Sequence, residues 1–368
     1  MNQIFRFIIR LRNKIVLFIR YRSEIRNIKR KKHLYEKIQL NKQQEKEVKQ
    51  KWGGYLSTND ITKWHRLYQS YTGIFQKDYF PEILYSTRLE PILCPDKYSL
   101  VLSHKYLTTC LFPGDKDYRI PKTFASYTAN VYTDEKHIVL SKYQIQKLCQ
   151  NIGHAVIKPT IDSSSGEGVR MLTIKEGVDI RTGETLECIL GKYKTDYIIQ
   201  ERIIQSELLN NLYSNAINTF RIITYICNEK VHVAPISLRI GRGDAEVDNI
   251  HAGGISIGID DNFCLRKSAF SEMGEQFDRH PTTGIVFEGY KIQPLKEIIC
   301  CAQRLHGYIP MIKMISWDWT LDENNIPVLI ETNLTGQAVW LPQLTNGLPM
   351  FGENTNYFLK LIKNRICF

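Results

Sequence analysis

Two carboxylates and an amide stand in this chain at the spacing a metal-binding hairpin needs. Asp318 lies between Trp317 and Trp319, and Glu331 is followed two residues later by Asn333. The apolar runs Met314 to Trp319 and Ile326 to Ile330 flank the polar turn Asp322 to Asn325, a pattern that reads as a β-hairpin. Successive strand residues point to opposite faces, so Glu331 and Asn333 share one face and Asp318 can stand opposite them. Three hard oxygen donors suit Mg²⁺, with Mn²⁺ as the alternative, the remaining ligands being water and substrate phosphates. A charge between two tryptophans is costly unless neutralised, and a bound cation would neutralise Asp318. Asp322 and Glu323 read as plain turn residues.

A second set of residues suits phosphate. Lys158 ends an apolar strand over 155–158, the loop Thr160 to Gly168 is built of serine and glycine, and a second strand follows over 169–174. Small residues let backbone N–H groups approach an anion, and hydroxyls add donors. The loop is no P-loop, because no Gly-Lys-Ser/Thr opens a helix; the lysine comes before it. The branched strand Tyr197 to Ile203, with Gln200-Glu201-Arg202-Ile203 at its end, could pair its backbone with a planar base or could simply be buried.

Lys158-Pro159 before a Ser/Gly loop, a strand ending in Glu201, and Asp318 with Glu331-Thr332-Asn333, in this order, resemble the ATP-grasp superfamily. The closest likeness is to its sugar-transfer-associated branch, found with polysaccharide biosynthesis, over roughly residues 100–350. The resemblance implies an α+β fold of two lobes, with the nucleotide between antiparallel sheets. It implies that Lys158 contacts the phosphates of ATP, that Ser163, Ser164, Ser165, Gly166 and Gly168 form a lid over them, and that Glu201 and Ile203 present hinge backbone to adenine. Asp318, Glu331 and Asn333 would hold one or two Mg²⁺. Lys105, in HKYLTTCLF, takes the place of a further nucleotide-binding lysine, and Glu207, just after the hinge, is a candidate for the ribose.

The implied chemistry is attack of a substrate carboxylate on the γ-phosphate, giving an acylphosphate that an amine opens. The chain is therefore expected to be an ATP- and Mg²⁺-dependent carboxylate–amine ligase, with carboxylate and amine substrates that could be glycan-linked. A kinase acting on a hydroxyl and a non-catalytic ATP-binding scaffold are the alternatives. One position departs from many such ligases: Ser316 stands where an arginine would stabilise transferring charge. Arg239, in PISLRIGRG, and then Arg221, in INTFRIITY, are the candidate substitutes, although either could be a structural partner of a carboxylate. The loop 241–256 gathers Asp248, Asn249, His251, Gly253 and Gly254 and is a candidate acceptor-binding or catalytic loop, though a turn with a solvated histidine would look the same.

The elements that must position these residues follow from the rest of the chain. Short apolar runs with hairpin-like connections predict antiparallel sheets with helices on one face. The expected divisions are a basic amphipathic helical tail over 1–51, a helical subdomain over 52–100, a first lobe over 101–200 and a second over 201–368. The nine cysteines form no CxxC pair and no Cys/His cluster, which argues against a disulfide framework and a structural zinc, and for reduced thiols in a cytoplasmic protein.

The net charge of +11 is concentrated at one end: residues 1–51 hold 16 Lys/Arg against 4 Glu, a net of +12, which leaves −1 for the other 317. A near-neutral body offers no groove for nucleic acid. Residues 1–22 alternate isoleucine, leucine and phenylalanine with arginine in runs too short to span a bilayer. They suit a basic helix lying on an anionic membrane at the inner face, or one packed on the body or on a partner. Residues 24–51 read as a charged, solvated connector.

Overall fold

The structure, a computed structural model, describes residues 3–56, 58–161, 166–193 and 196–366. Two eight-stranded sheets, antiparallel throughout, carry the fold. The first contains β1 (Thr123–Thr128), β2 (Val131–Asp134), β3 (Val139–Leu140), β4 (Gly153–Pro159), β5 (Arg170–Lys175), β6 (Val178–Asp179), β7 (Glu184–Thr185) and β8 (Tyr197–Glu201), in the order β3-β2-β1-β8-β4-β5-β6-β7. The second contains β9 (Thr219–Cys227), β10 (Lys230–Val233), β11 (Ser237–Ile240), β12 (Ile255–Ile259), β13 (Leu265–Phe270), β14 (Gln276–Phe277), β15 (Met314–Leu321) and β16 (Pro327–Asn333). Its order is β14-β13-β12-β11-β9-β15-β16, with β10 beside β9.

Each sheet has its own core. Ala155, Ile157, Leu172 and Ile199 of the first pack against Ile145 and Cys149 of helix Lys142–Cys149 and Ile189 of helix Leu186–Tyr193. Ser141 and Gln144 cap the earlier helix reciprocally, each side chain accepting from the other's backbone N–H. The second core gathers Phe220, Ile222, Trp317 and Trp319 with Ile298, Cys301, Ala302 and Leu305 of helix Leu295–His306. Those helix positions recur every three or four residues, the spacing of one face.

The helical N-terminal region shares these contacts rather than standing apart. Val48, Trp52, Ile61, Phe80 and Leu84 belong to the second core, and Trp64, Leu67 and Tyr68 close over Ile28, Leu34, Phe270 and Leu344. The reading of 24–51 as a solvated connector is therefore corrected, since Ile28, Leu34, Tyr35 and Val48 are buried; Trp52, just beyond it and fully buried, donates from Nε1 to the Lys77 carbonyl at 2.8 Å. Removing such a buried tryptophan costs about 3–5 kcal/mol. The long first helix, α1 (Gln3–Arg30), lies against residues 82–89 through its inner side. Among the described residues no helix is long and apolar enough to cross a membrane.

Candidate functional site

An open cleft of about 1020 Å³ is lined from both sheets, and most of the expected site residues face it. The hairpin forms as its sequence predicts: Asp318 stands directly opposite Glu331 in the β15–β16 register, and Ser316 opposite Asn333. Period-two alternation sends Trp317 and Trp319 to the other face, against Phe112 and Tyr118, while Asp318 points into the cleft. A register shift between Asp318 and Trp319 lets the hairpin change pairing just beyond the carboxylates.

Asp318 is neutralised by protein. Arg221 of β9 brings Nε to 2.9 Å from its Oδ1, and Arg239 of β11 brings Nη2 to 3.3 Å from its Oδ2. The register explains both contacts, since Arg221 lies opposite Asp318 and opposite Ser237, two residues from Arg239. The sequence argument that this carboxylate needs a metal for charge balance is thereby corrected. Arg221 also donates from Nη1 to Ser316 Oγ at 2.8 Å, so its guanidinium sits beside the position that lacks an arginine of its own. Arg239, the first choice on sequence, is held further along the sheet by Asp248 at 3.5 Å and by Thr219 Oγ1, to which its Nη2 donates at 2.6 Å. Asp248 accepts the Thr219 N–H at 3.0 Å, and burial raises its pKa against the pull of Arg239.

Lysines enter from the other side. Lys105, at the start of helix Lys105–Leu111, reaches Glu331 Oε1 at 3.3 Å. Lys158 lies at the end of β4 and has no carboxylate within ion-pair distance among the described residues. Withdrawal from water pushes its ammonium down to about 8, with Glu331 and Asp318 pulling the other way. Gly166 and Gly168 both adopt positive φ, at 81° and 73°, and a Cβ on Gly168 would meet the Pro159 ring at 2.7 Å. Ser163, Ser164 and Ser165 lie outside the described residues.

The remaining candidates divide. Ile203 is buried and lines the cleft with Val156 and Met171. Glu201 lines it too, but its carboxylate is taken by Arg119 Nη1 and by the Lys122 N–H at 3.0 Å. Arg119 was not foreseen: its Nε also pairs with Asp322 at 2.7 Å, so it links the first sheet to the turn of the metal-type hairpin. Asp322 is accordingly more than a turn residue. His251 lines the cleft from a 3-10 turn but pairs with Glu272 at 2.9 Å, outside the ion pairs around Asp318. Glu207 is corrected. It is exposed in the first turn of helix Glu207–Leu212, near Tyr290 and off the cleft, because Gln205 bridges to Asp322 and the Ser206 N–H donates to the Leu321 carbonyl, turning the chain away.

The donor set fits Mg²⁺ with substrate phosphates. Asp318 Oδ1 is buried and accepts no aligned hydrogen bond despite its nearness to Arg221 Nε, which leaves lone pairs for a cation. Glu331 and the Asn333 amide lie on the neighbouring strand. Among the described residues no three His, Cys, Asp or Glu side chains form a closed cage, so a cation here would draw its other ligands from phosphate and water.

Two antiparallel sheets facing a cleft lined by lysines, arginines and a carboxylate hairpin define an ATP-grasp fold. The chain belongs to the sugar-transfer associated ATP-grasp family, whose profile matches residues 84–357. Its sequence matches no curated protein. Similar solved structures include an L-amino acid ligase from Bacillus licheniformis, at TM-score 0.37 and 13% identity over 68% of this chain and 44% of that one. The D-alanyl-alanine synthetase A from Vibrio cholerae gives 0.40 and 14% over 72% and 66%. The ATP-grasp ligase PsnB, solved with a minimal precursor, Mg and ADP, gives 0.39 and 9% over 72% and 60%. The chain thus spans less than half the length of the first of these.

Proposed function

We propose that the protein is an ATP- and Mg²⁺-dependent carboxylate–amine ligase acting on a cell-surface polysaccharide or its precursor. The observation that carries this reading is the convergence of Lys105, Lys158, Arg221 and Arg239 with Asp318 and Glu331 in one cleft between the two sheets. Four cations beside two carboxylates suit a triphosphate that arrives with its metal. Val156, Met171 and Ile203 offer an apolar slot for a base next to the hinge backbone at 201–203. Mg²⁺, held by Asp318, Glu331 and Asn333, would supply charge neutralisation at the β- and γ-phosphates. Lys158 and Lys105 would bind phosphate oxygens, and Arg221, between Ser316 and Asp318, would steady the oxygens of the transferring phosphoryl group. Membership of a sugar-transfer associated family supports the setting.

The test is ATP binding by calorimetry and a screen of carboxylate and amine pairs for products. Lys158→Ala should weaken Mg·ATP binding by about tenfold or more, and Glu331→Gln should remove turnover while leaving the fold intact. ADP with free phosphate and an amide product fits the ligase. ADP with a phosphorylated acceptor would replace it by a kinase, and ATP binding without acceptor-dependent turnover by a scaffold. Asp318→Ala is a poor probe, since it strands the buried Arg239 and the half-buried Arg221 at a cost of about 3–5 kcal/mol.

A further inference from the structure

The cleft does not end at the ion pairs. Away from them it is lined by Ser23 and Asn27 of α1 and by Ser99, Leu100 and Ser103 of helix Asp96–Leu102 and its cap. Ser23 and Asn27 are also exposed, and Leu100 is 66% exposed, so these residues form the mouth. The two helices also meet farther along α1, where Arg12 Nη2 lies 4.0 Å from Asp96 Oδ2.

The outer side of α1 next to Ser23 is apolar and basic. Leu11, Ile15, Phe18 and Ile19 are 48–60% exposed and recur at helical spacing, and Arg12, Lys14, Arg22, Arg26 and Lys29 surround them, all exposed. Ile19 and Ser23 are one turn apart, so the apolar stripe and the cleft-lining side are adjacent on one helix. Helix Asp96–Leu102 continues the pattern with exposed Tyr98, Leu100 and Val101 and with Lys97, whose Nζ lies 4.6 Å from the Tyr98 ring centre. Aromatic, aliphatic and snorkelling basic groups in one surface are the composition of an interfacial membrane contact. The charge complement is an anionic lipid headgroup.

We propose that α1 and helix Asp96–Leu102 together form a membrane-contacting rim around the acceptor end of the cleft, so that the acceptor is a lipid-anchored molecule whose polar part enters past Ser23, Asn27 and Ser103 from the bilayer surface. The identity of the acceptor rests on the ligase reading; the rim and its orientation do not. The serines and the asparagine supply neutral hydrogen-bonding groups, fit for a hydroxyl-rich headgroup.

The full chain is tested against vesicles of phosphatidylcholine with phosphatidylglycerol and against phosphatidylcholine alone. Binding to the anionic vesicles only is expected, with slowed amide hydrogen exchange over both 11–29 and 96–103. Phe18→Glu with Ile19→Glu, and separately Val101→Glu, should each lower partitioning by tenfold or more, and Arg12→Gln by roughly fivefold. Mg·ATP affinity should stay at the wild-type value in all three, which reports an intact fold. Absence of vesicle binding would overturn the rim, as would binding that protects 11–29 but leaves 96–103 exchanging freely. Loss of nucleotide binding in the wild type would instead overturn the ligase reading and leave the rim standing.

Discussion

Under the proposed function, Lys158 is the side chain whose protonation state sets how well the cleft takes a phosphate. Placed at the cleft wall with opposing carboxylates on the neighbouring hairpin, it is pushed down to about 8 mainly by loss of water. Below that pH the ammonium is charged and ready for phosphate; above it, binding must first recruit a proton. ATP affinity should therefore fall as pH rises through about 8, approaching tenfold per pH unit beyond it. Lys158→Arg, whose charge persists, should flatten the profile. Calorimetry from about pH 7 to 9 checks both, and a wild-type profile as flat as that of the arginine variant would remove the lysine from phosphate binding. At this scale sequence was a fair guide to which residues face the cleft, because alternation assigns a face. It was a poor guide to their partners. Nothing local to Asp318 reveals Arg221 or Arg239, which reach it from strands 97 and 79 residues earlier along the chain.

The hairpin β15–β16 was legible as an element because both of its strands and its turn are written in one stretch of sequence. The interlobe strut was not. Arg119 joins Glu201 and Asp322, residues 82 and 203 positions away, through a segment with no regular pattern. It also exchanges backbone hydrogen bonds with the hairpin, its N–H donating to the Pro327 carbonyl at 2.9 Å and its carbonyl accepting from the Leu329 N–H at 2.9 Å. Arg119→Ala would remove the cation from the buried Asp322 and leave Glu201 only the Lys122 N–H, with an expected destabilisation of about 1–3 kcal/mol. Faster exchange of the amides at 199–203 and a weaker ATP affinity should accompany it. An unchanged melting temperature together with unchanged hinge exchange would assign the arginine no linking role. The solvated-connector reading of 24–51 failed for a related reason: its few apolar residues are outnumbered by charges, yet Ile28, Leu34, Tyr35 and Val48 are packed into the body's cores.

At the scale of the whole molecule, buried acids join the N-terminal helices to the loop that leaves the hairpin. Glu82 accepts the Trp340 N–H at 2.8 Å, and Glu90 pairs with Arg20 at 2.7 Å and accepts the Gly336 N–H. Glu24 stands close to them, and its carboxyl is raised to about 7, first by burial and then by Glu90, while Lys31 opposes. Its folded value exceeds its unfolded value, so the stabilising protonated form is complete below about 4.5 and is lost as pH rises through about 7. Glu24→Gln should raise stability at pH 8 by on the order of 1–2 kcal/mol and have little effect at pH 5. Thermal melts at the two values check this, and an equal effect at both would detach the carboxyl from the pH response.

The long reach of these contacts also sets an order of events during synthesis. Phe80 gives its N–H to Gln343 at 2.7 Å and Glu82 holds Trp340, pairs 263 and 258 residues apart. At about 5–20 residues per second, the helices around residue 80 wait roughly 15–50 s for the segment that completes their core. Throughout that interval Trp64 lacks Leu344 and Phe80 lacks Phe351, the late residues that pack with them in the finished fold. A newborn molecule of this protein is therefore a client for whatever shields apolar surface near the ribosome.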